Sequence, residues 1–309
     1  MFSQPLVSII TPSFNQGKFL EETIQSVLGQ DYGRVEYILI DGASTDNSLD
    51  IIRKYADRLS YWVSEPDKGQ AQAINKGLKQ ATGDILGWLN SDDVLQPGAI
   101  RRAVETLQVH PDVDVVYGRL ERMDELGKPV STPILPKDRV EFNRDNMLEE
   151  CTVNQAGTFW RREIMEKVGL LNESLRYVMD YEYWIRIAIA GGCFKRLPEI
   201  TARFRLSRDS KTVGQSLPMA QEGIQVIQSF AGQPGLDMCL GLPAGALQRQ
   251  SRLGLAVMYL YEANAYLKQK DWGRVVYALI EAAQNHPAVF FDRRWVDLAV
   301  AKLKRQSRS

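Results

Sequence analysis

Leu-Gly-Trp-Leu-Asn-Ser-Asp-Asp-Val, residues 86–94, is an apolar run that ends abruptly in two adjacent carboxylates. A run of this length predicts a buried strand, and acids just past its C-terminal end stand where open parallel sheets place their ligand crevice. Two neighbouring carboxylates there suit a hard divalent cation, Mg2+ or Mn2+, which takes oxygen ligands and shares them with a substrate phosphate. The competing structural reading makes one of them, Asp93 before Asp92, the cap of a helix beginning at Pro97.

Outward from this stretch, the N-terminal third alternates strand and helix. Leu6–Thr11 is a β-branched run, followed by a Pro-Ser-Phe-Asn-Gln-Gly turn and a helical pattern over Lys18–Gln30. In it Phe19, Thr23, Ile24, Val27 and Leu28 recur at helical spacing, and Glu21 and Glu22 fall in the first turn, where the dipole favours acids. A second strand, Val35–Ile40, ends at Asp41 and leads through Gly42–Asn47 to a helix at Ser48–Tyr55. A third, Leu59–Val63, leads through Ser64–Gly69 to a helix at Gln70–Lys79 and then to the strand ending at Asn90. Such alternation implies a parallel sheet with right-handed crossovers. Asp41, Asp67 and Asp92 then close three loops on one sheet edge, an arrangement stronger than any single Asp-Gly turn. Asp46 reads equally as a site residue and as the N-cap of the Ser48 helix.

Composition excludes several classes. The 309 residues carry 38 Lys plus Arg against 38 Asp plus Glu, so no global positive field points to nucleic acid. The 44% hydrophobic and 25% charged content is that of a globular protein with an ample core. Cys151, Cys193 and Cys239 are odd in number, far apart and without metal-ligand spacing, which predicts reduced thiols. No secretory leader opens the sequence and no apolar run approaches a membrane span, so a cytoplasmic location is expected. Pro12–Gly17 holds one glycine where a dinucleotide-binding loop needs three, and no P-loop occurs. A metal at Asp92 would therefore supply the charge that neutralises ligand phosphates.

Val7–Gln16, Ile38–Asp46, Ser64–Gln70, Ala73–Gly77 and Gly87–Asp93, in this order, resemble the motifs of the family 2 inverting glycosyltransferases over roughly the first 210 residues. The resemblance implies an α/β fold of the GT-A type, a Rossmann-like, mixed but mainly parallel sheet flanked by helices. It implies a nucleotide-diphosphate sugar lying across the strand ends with a divalent cation under its diphosphate. Thr11 and Pro12 would line the nucleotide pocket, Asp41 would accept a hydrogen bond from the base, and Asp67 would lie beside the nucleoside. Asn90 and Ser91 would complete the nucleotide-sugar site, Asn90 replacing the first aspartate of the family's D-x-D element with a neutral amide able to bond a ribose hydroxyl. Asp92 maps to the metal-binding aspartate.

The middle of the chain is expected to serve the acceptor. Pro97–Val109 reads as a helix, Val113–Tyr117 as a strand, Met123–Val130 as a turn around Gly127, and Val153–Arg162 as a small-residue turn entering an aromatic strand. Arg161 and Arg162 could reach a phosphate but read better as solvated. Asp180 opens an aromatic helix whose first turn it can cap. By resemblance it maps to the general base, with Met179 standing where the family usually has glutamate; Glu182 ranks second. Tyr181, Tyr183 and Trp184 read as sugar-stacking or core residues. Phe194–Ile200 and Ala202–Leu206 read as two short strands, after which Arg205, Arg208 or Lys211 could cover a diphosphate, although surface charge is the plainer reading.

From about Ser216 the pattern is helical: Met219–Phe230, Leu247–Lys268, Trp272–Asn285 and Trp295–Lys304. Ala263–Pro287 resembles part of a tetratricopeptide-type pair, one copy of which cannot form a solenoid. Arg293–Arg308 suits either a solvated helix or an anionic membrane surface. The expected organisation is a glycosyltransferase domain at 1–215 and a helical subdomain at 216–309. The expected partners are a nucleotide-sugar donor and a glycan or lipid-linked acceptor, with no nucleic acid and with peripheral contact at the inner face of the membrane. Competing readings are a catalytically silent nucleotide-sugar or glycan-binding scaffold and a sugar-phosphate nucleotidyltransferase. The latter expects a glycine-rich basic loop after the first strand, which Pro12–Gly17 is not.

Overall fold

The computed structural model describes residues 4–130, 140–207 and 215–290. The expected helix at Trp295–Lys304, the basic segment Arg293–Arg308, and Arg208 and Lys211 lie outside the described residues. The chain divides into two compact units: residues 1–132, 141–143 and 153–207, and residues 133–140, 144–152 and 208–309.

The first unit is built on one eight-stranded sheet of order β3-β2-β1-β4-β7-β6-β8-β5. β1 (Val7–Ser13), β2 (Val35–Asp41), β3 (Tyr61–Ser64) and β4 (Ile85–Trp88) are mutually parallel. β7 (Thr158–Arg161) runs antiparallel to β4 and to β6 (Val115–Met123), whereas β6 and β8 (Phe194–Arg205) are parallel. β5 is only Val94–Leu95 and pairs antiparallel with the end of β8. The sheet is thus mixed and mainly parallel, with α1 (Leu20–Leu28), α2 (Ser48–Tyr55), α3 (Gln70–Gln80), α4 (Ala99–Val109), α5 (Arg162–Val168) and α6 (Met179–Ile189) as its helices.

Periodicity explains the helices. α1 buries Leu20, Thr23, Ile24 and Val27, and α4 buries Ala99, Ile100, Ala103, Val104 and Leu107, each a single stripe. α3 lies so close to β1 that a Cβ at Gly77 would stand 2.4 Å from Ile10 Cγ2. Glycine inside a helix costs about 1 kcal/mol. Burying Ile10 fully is worth roughly 1.5–3 kcal/mol, so close packing wins.

Two expected elements are drawn differently. The strand of the 86–94 run stops at Trp88, because Asp93 N–H donates to the Asn90 carbonyl (3.1 Å) and closes a tight turn before β5. The two short strands expected over 194–206 are one, β8. Between Tyr117↔Arg196 and Arg119↔Ile200 the register shifts, and this bulge accommodates Pro198, which has no N–H for the ladder.

The second unit contains α7 (Ser216–Ala231), the single-turn α8 (Leu236–Cys239), α9 (Ala246–Lys268), α10 (Trp272–Asn285) and a 3-10 turn at Pro287–Phe290. Ala256, Val257, Ala282 and Val289 form the cluster that joins α9 and α10. Asp271 caps α10 by accepting the Arg274 N–H at 3.2 Å. Residues 144–152 belong to this unit: Gln250 donates to the Arg144 carbonyl (3.1 Å) and Arg144 to the Leu240 carbonyl (2.7 Å). Among the described residues no helix is long and apolar enough to cross a membrane.

Candidate active site

Strands β1 to β4 end on one edge, and their register aligns Ser13, Asp41 and Ser64 in one row. Asp41 is fully buried, and its carboxylate accepts from Ser44 Oγ (2.5 Å), Ser44 N–H (2.9 Å) and Ser64 Oγ (2.6 Å). A carboxylate offers about four lone-pair sites, so at most one remains for a ligand. Asp67 accepts from Gly69 N–H (2.8 Å), and its other oxygen lies where a Cβ on Gly42 would stand 2.6 Å away. Glycine at 42 therefore lets the β2 and β3 loops meet. Thr11 and Pro12 are interior, Thr11 Oγ1 bonding Tyr37 OH at 3.1 Å. Next to them stand two residues that the sequence did not single out: Ser13, whose buried hydroxyl has no hydrogen-bond partner, and Phe14, 59% exposed. Their signal was their place at the end of β1, inside the Val7–Gln16 motif.

The loops after β1 and β2 are clasped by side chains. Asn15 N–H donates to Ser44 Oγ (2.8 Å) and Asn15 Oδ1 accepts Thr45 N–H (2.8 Å), with Asn15 at φ +52°, a conformation asparagine tolerates. Asp46 accepts from Gly17 N–H and from Ser48 N–H, both 2.9 Å. The N-cap of α2 is Asn47, so Asp46 is not the cap the sequence suggested; from one residue earlier it accepts the first N–H of the helix and links the two loops. Burial alone would raise its carboxyl, but hydrogen bonds from the Ser48 side chain and from the Gly17 and Ser48 N–H groups outweigh this and hold it below its ordinary value. A depressed carboxyl contributes stability above the unfolded value, near 3.9, that is lost as pH falls through the folded one. Asp46→Ala, which removes both of these hydrogen bonds from an exposed carboxylate, is therefore expected to cost about 1 kcal/mol at pH 7 and progressively less below pH 4. Urea unfolding at several pH values checks this, and a cost that does not shrink in acid would refute it.

The turn after β4 corrects the capping alternative. α4 begins at Ala99 after Gly98 with no side-chain cap, so neither aspartate caps it. Asp93 is buried, and its Oδ1 accepts Arg205 N–H at 3.0 Å while its carbonyl accepts Thr23 Oγ1 at 2.7 Å. Burial, and then the neighbouring Asp92, push the Asp93 carboxyl well above the ordinary range. Asp92 is the less buried acid of the pair, and Ser91 beside it is buried. Asn90 is set in an amide relay: Gln70 donates to its Oδ1 (2.7 Å), its Nδ2 donates to Gln155 Oε1 (3.1 Å), and Gln155 donates to the Trp88 carbonyl (2.8 Å). Gln70 and Gln155, read from the sequence only as parts of a helix and a turn, thus orient the amide that replaces the acid.

α6 approaches the same edge. Asn75 and Gln72 of α3 bond Glu173 (2.9 and 3.0 Å), which lays the segment before α6 along the start of α3. Trp184 stacks on Trp88, with ring centroids 5.5 Å apart, and Asp180 lies one turn earlier on the same helix face. Asp180 is not the N-cap. The helix starts at Met179, and Asp180 Oδ1 accepts Tyr181 N–H at 2.8 Å from within the first turn. Glu182 is committed to a bidentate pair with Arg186 (2.8 and 3.0 Å), whose guanidinium also donates to the Val168 and Leu170 carbonyls. Tyr181, Tyr183 and Trp184 are core residues, and Arg205 is buried rather than a surface charge. Arg161 and Arg162 are not solvated phosphate binders; they bond main-chain carbonyls, Arg162 those of Ala81 and Gly83 ahead of β4, at the opposite edge. Among the described residues no group of three or more His, Cys, Asp or Glu is placed to hold a metal.

Two solved structures share this fold: a mannosyltransferase from Pyrobaculum calidifontis in complex with GDP-Man and Mn2+ (19% identity, 98% of this chain and 81% of that one, TM-score 0.64), and S. aureus TarS 1-349 in complex with UDP-GlcNAc (16%, 90% and 92%, TM-score 0.61). The mixed, mainly parallel sheet with its helices is therefore the GT-A, Rossmann-like arrangement. A Nostoc protein described as an uncharacterized glycosyltransferase is 30% identical over 281 residues, 86% of this chain and 84% of its own. A similarly described Rickettsia felis protein is 29% identical over 217 residues, 68% of this chain but only 36% of the relative, so the match spans about a third of that protein's length. The family model for "Glycosyl transferase family 2" matches residues 8–169, which take in the clasped loops, Asp67 and the Asn90–Asp93 turn. On that match, over half its length, and on its likeness to the Nostoc protein, this chain belongs to glycosyl transferase family 2.

Proposed function

We propose that the protein transfers a sugar from a nucleotide-diphosphate donor to an acceptor hydroxyl with inversion, in the assembly of a cell-surface polysaccharide or glycolipid at the inner face of the membrane. The observation that carries the reading is the meeting of the Asp41, Asp67 and Asn90–Asp93 loops at the sheet edge that the start of α6 approaches. The UDP-GlcNAc and GDP-Man of the two structural neighbours support a nucleotide-sugar donor, and the Mn2+ of one supports a divalent cation. As functional divisions, residues 1–215 are proposed as the catalytic domain and 216–309 as the helical subdomain, although the second compact unit also takes in 133–140, 144–152 and 208–215.

Asp92, a partly exposed carboxylate beside the buried Ser91 and Asp93, fits a hard cation that takes oxygen ligands and completes its shell with substrate oxygens and water. Such a cation, when bound, offsets charge on the departing diphosphate. The chain's own residues do the rest. Asp67 and the β1 loop hold the nucleoside, Asn90 and Ser91 the ribose and sugar, and Asp180 takes the acceptor proton as the hydroxyl attacks the anomeric carbon in line. One displacement inverts that carbon.

Thermal shift of the purified protein with UDP, GDP, dTDP or CMP, each with and without Mn2+, tests this reading. A ligand at a hundred times its Kd stabilises by about 2.7 kcal/mol, so one nucleoside diphosphate is expected to raise Tm measurably without metal and by several degrees with Mn2+, and the Mn2+ increment is expected to be absent in Asp92→Ala. No shift with any of them would sink the reading. The substitutions at Asn90 and Met179 favour one second reading, a silent nucleotide-sugar-binding scaffold, which predicts binding without donor hydrolysis or transfer.

A further inference from the structure

Arg205, the last residue of β8, is 1% exposed. A guanidinium keeps its charge in proteins, so burying it is costly unless its donors are met. Here they are met by parts of the chain far apart in sequence. Nε donates to the Asp92 carbonyl (2.9 Å), Nη1 to the Asp124 and Glu125 carbonyls (both 3.3 Å), and Nη2 pairs with the Glu22 carboxylate of α1. The guanidinium carbon lies 4.6 Å from the centroid of the Phe19 ring. The backbone N–H of the same residue donates to Asp93 Oδ1. One residue thus grips the acidic turn twice, at the main chain of Asp92 and at the side chain of Asp93.

Pinning the Asp92 carbonyl fixes the main chain from which its carboxylate extends. We infer that Arg205, oriented by Glu22, is a positioning residue that aims Asp92 at the donor diphosphate and its cation without touching either. This rests on the role proposed for Asp92 above. A lysine cannot substitute, because one ammonium on a flexible stem does not span a carboxylate and three separate carbonyls as the planar fork does.

The test compares full-length wild type, Arg205→Lys, Glu22→Gln and Asp92→Asn by thermal shift with UDP and GDP, titrating Mn2+ and recording the Tm of ligand-free protein and the Mn2+-free nucleotide shift. Residues that orient a metal ligand typically change metal affinity about 10–100-fold, so Arg205→Lys is expected to raise the half-saturating Mn2+ about tenfold or more. Glu22→Gln is expected to raise it less, and both leave the Mn2+-free shift in place. Wild-type Mn2+ dependence in both variants overturns the inference, as does a loss of ligand-free Tm matched by equal loss of Mn2+-free binding, the mark of a purely structural residue. Should Arg205→Lys not fold, Glu22→Gln, at a half-exposed carboxylate, decides alone. If Asp92→Asn removes the Mn2+ dependence and Arg205→Lys does not alter it, only the inference fails. If Asp92→Asn changes nothing, the reading of Asp92 fails and the inference with it.

Discussion

Asp180→Asn is expected to lower the turnover of sugar transfer by about 10²–10⁴-fold, the contribution of a positioned general base, while nucleotide binding and folding stay close to wild type. Asparagine keeps the shape of the side chain and an oxygen to accept the Tyr181 N–H, so the first turn of α6 is undisturbed. What it removes is the ability to take a proton. A carboxylate two positions into a helix also stands at the positive end of the dipole, a place that suits negative charge. Glu182 offers no replacement, since both its oxygens bond Arg186. Steady-state kinetics over a range of pH, with a nucleotide thermal shift as the binding control, checks the expectation. Unchanged kcat in Asp180→Asn would remove Asp180 from the chemistry.

Trp184→Ala is expected to destabilise the protein by about 3–5 kcal/mol, as for a fully buried aromatic. Trp184 is 0% exposed, stacks on Trp88, and meets Trp160 and Tyr183 edge-on with centroids 5.7 and 5.4 Å away. Truncation leaves a cavity between α6 and β4 that rigid strand neighbours cannot fill. Its indole N–H has no hydrogen-bond partner, so the loss is one of ring packing, and Trp184→Phe is expected to cost much less. Because Trp184 docks the helix that carries Asp180, the alanine variant is also expected to lose kcat beyond its unfolded fraction. Urea unfolding of both variants measures the difference. A cost below about 1 kcal/mol for Trp184→Ala would mean that the site collapses freely, contrary to the close packing expected of a core.

The alternation of strands and helices was legible because it is written locally, in apolar periodicity and turn chemistry; β1, β2, β3 and α1 to α4 each fall within a few residues of their expected places. The acid-terminated loops were legible for the same reason, since parallel strands must end on one edge. Where the expectation differed, a distant partner decided. The 86–94 run breaks at Trp88 in its own Asn90–Asp93 turn, which β8 holds in place, and β8 continues through Pro198 because β6 offers a bulge. Asp41, Glu182, Arg161 and Arg205 looked like ligand or surface groups. Asp41 turned out to be bonded from Ser44 and Ser64, 3 and 23 residues away, Glu182 from Arg186 only one turn along its own helix, Arg161 to the Leu107 carbonyl 54 away, and Arg205 to the Asp92 carbonyl 113 away. By itself, then, the sequence determined the layered α/β plan and the edge on which acids gather. Which of those acids keep lone pairs for a ligand was decided by tertiary structure, because a buried polar group must be satisfied by whatever the fold brings within about 3 Å, and for partners as remote as Ser64 to Asp41 or Asp92 to Arg205 no local pattern encodes that partner.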